Sequence, residues 1–242
     1  MKRSICRAFV ASVFLAGAAQ AQVVVPNSAA LAEADGTFAL TSTAAAGRTF
    51  QMTIAANQLS GLMGQSIVGM QFRLNGAATA AWPLTNASYA FWDVYMGPGV
   101  APSSMSNTFA DNFTAAATQV RGGSLDIPAG SFSFGSAPNA FGPTLTFTAP
   151  YLYTGGDLTV EMRFAQQTGA TTQSSLDGVL ASGGPGNGWG VDFAARWTGS
   201  ATGTTGTNGN FVVTNFIVPA PSSLALLGLS MGIAMRRRRT QR

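Results

Sequence analysis

Thr49-Phe50-Gln51-Met52-Thr53-Ile54 and Ile67-Val68-Gly69-Met70-Gln71-Phe72-Arg73-Leu74 are the two stretches that decide the fold class. The first puts Phe50, Met52 and Ile54 on one face and polar residues on the other. The second aligns Val68, Met70, Phe72 and Leu74 in the same way. A period of two is the mark of a strand that is buried on one side. Asn75-Gly76 closes the second stretch with a dipeptide that favours a tight turn. Working outward, Phe38-Ala39-Leu40 alternates, and Tyr89 to Met96 runs apolar and aromatic until Gly97-Pro98-Gly99. Further strands are predicted at Ser131 to Phe134, Leu145 to Phe147, Leu158 to Phe164, Gly188 to Arg196 and Asn210 to Val218. Gln58 to Gly64 reads as a short helix or loop, and Ser103 to Ala117 as a longer loop. Thr198 to Asn210, rich in Gly and Thr, reads as a mobile hairpin or loop. Between Gln22 and Ile217 no helical pattern of twelve residues occurs. Many short strands bounded by Gly, Pro and Asn predict an all-β sandwich, jelly-roll-like, rather than α/β alternation. Thr is frequent and is expected on the solvent face of strands.

The ends of the chain are of a different kind. Lys2, Arg3 and Arg7 precede an apolar run from Ala8 to Ala18, and Ala19-Gln20-Ala21 supplies small residues at a peptidase site. This predicts a signal peptide over residues 1–21, cleaved between Ala21 and Gln22. Cys6, the single cysteine, lies before the apolar run, too early for a lipoprotein acceptor. At the other end, Val218-Pro219-Ala220-Pro221 is followed by an apolar helix over Ser222 to Met235 and by Arg236-Arg237-Arg238-Arg239. The prolines keep the leading motif extended. The arginines form a stop that stays cytoplasmic. Fourteen helical residues span about 21 Å, short of the roughly 30 Å of hydrocarbon, so the segment suits a transient span better than a permanent anchor.

Proline motif, apolar helix and terminal arginine cluster in this order resemble the PEP-CTERM sorting signal of bacterial exported proteins. The resemblance covers Val218 to Arg242, and Ala220 stands where the usual motif has Glu. It implies a 22–217 ectodomain and a 218–242 sorting tail. It also implies recognition by an exosortase-type membrane protease, transient passage through the inner membrane, and delivery to the cell surface or extracellular matrix. A second resemblance runs from Leu145-Thr146-Phe147 through Pro150 to Glu161. That segment looks like a strand-turn-strand of bacterial β-sandwich ectodomains and implies jelly-roll-like architecture without a particular ligand.

Composition then narrows the function. The full chain of 242 residues carries +4, but three cations lie in the leader and five in the tail. Residues 22–217 hold five arginines (Arg48, Arg73, Arg121, Arg163, Arg196) against nine acids, a formal charge of −4. Five scattered arginines do not make a nucleic-acid face. The chain has no histidine, and the ectodomain has neither cysteine nor lysine. Triad, thiolate, Schiff-base and Ser-Lys chemistries are therefore excluded, as is the commonest zinc ligand. No disulfide framework is available, so a hydrophobic core must hold the domain.

Glycoside hydrolysis needs only two carboxylates. It is the one enzymatic class left open, with Asp93, Asp157, Glu161 and Asp192 as candidates. No cofactor is expected. Calcium is the one metal with ligands at hand, at Asp111-Asn112 and Asn208-Gly209-Asn210, although these residues read first as turn formers. Trp82, Trp189 and Trp197 are candidate sugar-stacking aromatics, while Trp92 reads as core. The expected function is a non-catalytic surface or matrix protein with a structural or adhesive role, processed by signal peptidase and an exosortase-type protease. The alternative is a carbohydrate-binding module or glycosidase, with exopolysaccharide as the partner. Tryptophans gathered on one concave face would favour the alternative; buried tryptophans under a flat polar exterior would favour the first.

Overall fold

In the computed structural model, residues 21–219 are described. Residues 1–20, on which the predicted signal peptide falls, and residues 220–242, on which the predicted apolar helix and arginine cluster fall, lie outside the described residues. In chain order the strands are β1 (Ala21–Val25), β2 (Gly36–Phe38), β3 (Arg48–Ile54), β4 (Ser66–Gln71), β5 (Ala87–Tyr89) and β6 (Trp92–Pro98). Next come β7 (Thr118–Arg121), β8 (Leu125–Ile127), β9 (Leu145–Leu152), β10 (Leu158–Phe164) and β11 (Gln167–Thr168). Last are β12 (Leu176–Val179), β13 (Phe193–Thr198), β14 (Thr207–Asn208), β15 (Phe211–Val212) and β16 (Thr214–Val218). Helical structure among the described residues is confined to short 3-10 turns, including Ala56–Leu62 and Phe109–Asn112. The described body is all-β.

Two larger sheets carry the fold, ordered β1-β16-β4-β9 and β14-β13-β3-β10-β6-β7. Two three-stranded sheets, β11-β5-β8 and β15-β12-β2, complete it. The larger sheets share one apolar cluster, to which Met70, Phe216 and Val218 come from the first, and Phe50, Met52, Val94 and Val160 from the second. Thr214 Oγ1 reaches Met52 Sδ at 3.9 Å across the gap between them. Every ladder between these strands is antiparallel, and most neighbours are far apart in sequence. Long-range pairing of this kind must close large loops, which inserts a substantial entropic cost before any contact forms.

Several expectations are corrected. Val68 does not share a face with Met70, because the β4–β9 register shifts between Ile67 and Gly69. A bulge adds one residue and inverts the alternation, so Ile67 is fully buried and Val68 only half-buried. The predicted strand at Tyr89 to Met96 is two strands in different sheets, broken at Ala90-Phe91. The break lets Tyr89 and Trp92 both turn inward, where their rings meet edge-on at 4.8 Å. Ser131 to Phe134 is no strand; only Phe132 pairs, with Trp82. The strand predicted from Gly188 begins at Phe193, since Gly188 and Gly190 both take positive φ and curl the chain before it. Asn210 to Val218 is interrupted at Val213, whose N–H donates to the Asp177 carbonyl. Thr198 to Asn210 folds back as a hairpin in which Thr207 pairs with Trp197. Thr49, Thr53 and Thr159 are fully buried rather than on a solvent face; the Ser200 loop lies over Thr49 and the 102–117 segment over Thr159.

Candidate functional site

Alternation along β10 turns Val160, Met162 and Phe164 into the core and leaves Glu161 and Arg163 on the outer face of the six-stranded sheet. Register then decides their neighbours. Glu161 stands between Gln51 on β3 and Tyr95 on β6, and Arg163 between Thr49 and Asp93. Cross-strand partners have Cβ atoms about 4.5–5.5 Å apart, so these side chains form one patch.

Glu161 is 3 % exposed, and an ionised carboxylate so placed is costly unless it is paired and hydrogen-bonded. Gln51 Nε2 donates to its Oε2 at 2.8 Å, and Arg163 Nε donates to its Oε1 at 2.5 Å. Gln51 is itself fixed, because its Oε1 accepts from Asn112 Nδ2 at 2.7 Å and its Nε2 also donates to the Phe109 carbonyl. Asn112, fully buried, accepts from the Ser106 N–H at 2.6 Å. A bonded chain thus runs from the 106–112 loop through Gln51 and Glu161 to Arg163. Arg163 spends only Nε on described residues, which leaves its two terminal amino groups toward the surface. Its guanidinium carbon lies 6.0 Å from the Tyr95 ring centroid. The Tyr95 phenol is raised above its ordinary range by burial first and then by the Asp93 charge, with Arg163 opposing. Over this floor lies a groove of about 460 Å³, walled by Tyr95, Phe113 and the small residues Ala115 to Ala117.

The other sequence-predicted residues fall elsewhere. Asp157 accepts the Ala56 N–H and Asp192 accepts from Asn57, so both tie down the start of the Ala56–Leu62 turn. Asp93 accepts the Gly123 N–H at 3.3 Å. Asp111 meets Ser106, and Asn210 bridges Ala181 and Thr37, while Asn208 lies in β14. Among the described residues no three carboxylates gather.

Trp82, a candidate sugar-stacking ring by sequence, is instead 5 % exposed, packs edge-on to Phe132 and donates Nε1–H to the Thr172 carbonyl. Trp189 and Trp197 are half-buried against Gly209, and each lies under an arginine, Arg196 and Arg48 respectively. Trp197 also borders a hollow of about 320 Å³ lined by Thr198, Thr205 and Thr207. The three tryptophans therefore form no common platform. Trp92 is core, as expected, stacked on Phe164 at 4.1 Å. Its buried Nε1 has no partner and it borders an apolar cavity of about 80 Å³.

Sequence reasoning named Glu161, offered Asn112 only as a calcium ligand rather than as the partner of Gln51, and missed Gln51, Tyr95 and Arg163. The signal was present: Gln51 lies between Thr49 and Thr53, and Glu161 between Thr159 and Arg163, as long polar residues on the same strand faces.

At the chain ends, β1 pairs with β16 so that Ala21 lies opposite Val218 and Gln22 opposite Ile217. Val218 is the last residue of β16, and Pro219 beyond it is exposed. Ala19, Ala220, Pro221 and Arg236 to Arg239 lie outside the described residues. No curated protein matches the chain. The family model of the PEP-CTERM protein-sorting motif matches residues 218–239. An all-β body that ends where this match begins is thus followed by a PEP-CTERM sorting motif, the mark of an exported protein handled by an exosortase-type system.

Proposed function

We propose that residues 22–217 are a non-catalytic ectodomain, a jelly-roll-like sandwich displayed at the cell surface or deposited in the extracellular matrix in a structural or adhesive role. The leader would end at Ala21 and the tail would begin at Val218. The observation that carries this reading is the coincidence of the motif match with the end of β16. Removal of the chain after Val218 would spare all of β16, and leader cleavage after Ala21 would take only the first residue of β1. The non-catalytic reading rests on the missing histidine, on the body's lack of cysteine and lysine, and on a buried Glu161 whose two oxygens are already engaged.

The tail gives the test. Arg236 to Arg239 should hold the segment's end in the cytoplasm, since each arginine costs roughly 2.5–3.5 kcal/mol at the helix centre on insertion scales. Changing all four to Ser should let the tail slip through and release unprocessed protein. Changing Pro219 and Pro221 to Ala should instead leave protein in the membrane with its tail attached. Mass spectrometry of secreted and membrane fractions reads both outcomes. Parent-like processing and location of both variants would defeat the proposal.

A further inference from the structure

We infer that the groove above Glu161 binds a neutral oligosaccharide, with Tyr95 and Phe113 as the apolar contacts and Arg163 as the hydroxyl donor. The inference rests on the surface or matrix reading above, and names the ligand class that an adhesive role would use.

A ligand pocket is mostly apolar, with a few polar groups in fixed positions, and measures about 300–1,000 Å³. This groove has that size and that make-up. A pyranose presents a face of C–H bonds and a rim of hydroxyls. Tyr95 and Phe113 are half-buried rings that offer apolar surface to such a face, and Ala115 to Ala117 leave room on the opposite wall. The rim needs donors and acceptors at fixed spacing. Arg163 supplies two amino groups from one planar fork, and the Tyr95 hydroxyl, which bonds no described residue, can donate or accept.

Order is already built in. Asn112 holds Gln51, Gln51 holds Glu161, and Glu161 holds Arg163 through Nε, so little freedom remains to be lost on binding. Burial of Glu161 is costly, and a hydrophobic strand residue would serve the sheet as well. Its placement makes sense as the anchor of Arg163.

Charge selects the ligand class. Arg163 is balanced by Glu161, and Asp93 faces Arg163 across the ladder. The patch therefore has no positive excess, and uronate, sulfated or phosphorylated sugars are disfavoured relative to neutral ones.

The test uses the full-length chain in a detergent without a sugar head group. Cellobiose, laminaribiose, maltose and β-1,4-mannobiose are titrated by calorimetry and saturation-transfer NMR, with digalacturonate as the charged comparator. At least one neutral disaccharide should bind saturably. Arg163→Ala and Tyr95→Ala should each weaken it about tenfold or more, the weight of one charge-assisted hydrogen bond or one ring contact. Tyr95→Phe, which keeps the ring, should stay within about threefold. Circular dichroism confirms that each variant is folded. No saturable binding, binding indifferent to both alanine variants, or a preference for digalacturonate overturns the inference. Correct sorting without sugar binding would defeat this inference alone, and sugar binding by a mis-sorted chain would defeat only the sorting reading.

Discussion

Replacing Asp177 by Ala should destabilise the fold by about 3–5 kcal/mol, the cost of leaving one charge of a buried pair without its partner. Arg73 is 1 % exposed and Asp177 fully buried. Arg73 donates Nε–H to Asp177 Oδ2 at 2.8 Å, and its NH2 group reaches the carbonyls of Ala29 and Ala32 at 2.9 and 2.6 Å. Asp177 Oδ1 accepts the Ala34 N–H at 3.1 Å. The pair therefore pins residues 29–34, which have no strand of their own, to β12 and to the chain just after β4. Burial pushes the Asp177 carboxyl upward, but Arg73 and the Ala34 N–H pull against it, and the bonding pattern is that of a carboxylate. After Asp177→Ala the buried guanidinium keeps the Ala29 and Ala32 carbonyls and the Phe141 ring, but no bonded carboxylate. With an m-value of about 2 kcal/mol/M, the urea midpoint should fall by roughly 1.5–2.5 M.

The double variant Arg73→Met with Asp177→Leu removes both charges. It orphans the buried Ala29 carbonyl and the half-buried Ala34 N–H, since Ala32 is exposed, and should cost about 1–3 kcal/mol, less than Asp177→Ala alone. Equilibrium unfolding of residues 21–218, one compact unit, followed by tryptophan fluorescence, ranks the two variants against the parent. A loss under about 1 kcal/mol for Asp177→Ala is the value of a surface pair and would refute the reasoning.

Two further outcomes are expected. All four tyrosines are raised above the ordinary phenol range with burial as the leading cause: Tyr89, Tyr95, Tyr151 and Tyr153. Below about pH 10 folded and unfolded chains both hold these protons, and stability should not depend on them. Above that pH the unfolded chain loses protons that the folded chain retains, so stability should fall. Phenolate absorbance should show native titration displaced upward and restored to the ordinary range in denaturant; coincident curves would count against it. The second concerns two glycines. At Gly47, φ is +68°, and an added Cβ would run into the Phe164 carbonyl oxygen, so Gly47→Ala should cost about 2–4 kcal/mol. Gly64, at φ +70°, faces open space, and Gly64→Ala should cost only about 1 kcal/mol by the same thermal or urea assay. Equal losses would show that the close approach at Gly47 is not the cause.

The period-two pattern made most strands legible, because a single buried face writes directly into alternation, as Phe50, Met52 and Ile54 show. What the pattern missed are places where backbone geometry changes without changing composition. The bulge at Val68 leaves the same apolar letters in place while inverting their faces. The break between Tyr89 and Trp92 is hidden by aromatics on both sides of it. The groove was harder, because its residues come from β3, β6, β10 and the 102–117 segment, and only the register brings Gln51, Tyr95 and Glu161 together. Tryptophan drew attention first, being the usual sugar platform. Tyr95 and Arg163 are less conspicuous letters, and their meaning depends on a buried Glu161 that no local spacing signals.

The topology also bears on the order in which the chain's two ends could be processed. Ala21 faces Val218 in an antiparallel ladder, so the first strand of the body closes on the last. Pairing between segments so distant in sequence cannot form until β16 has been delivered. On the proposed route, the bond after Ala21 is thus presented to a peptidase on an unpaired, extended segment, as cleavage requires. The motif at residues 218–221 is different. On the same proposed route every strand would be exported before the tail reaches the membrane, and the motif's first residue, Val218, is the last residue of β16. Pro219 cannot donate to a ladder, so pairing stops at Val218. The proline that marks the sorting motif is, in the fold, also the residue that ends β16 and separates the body from its tail.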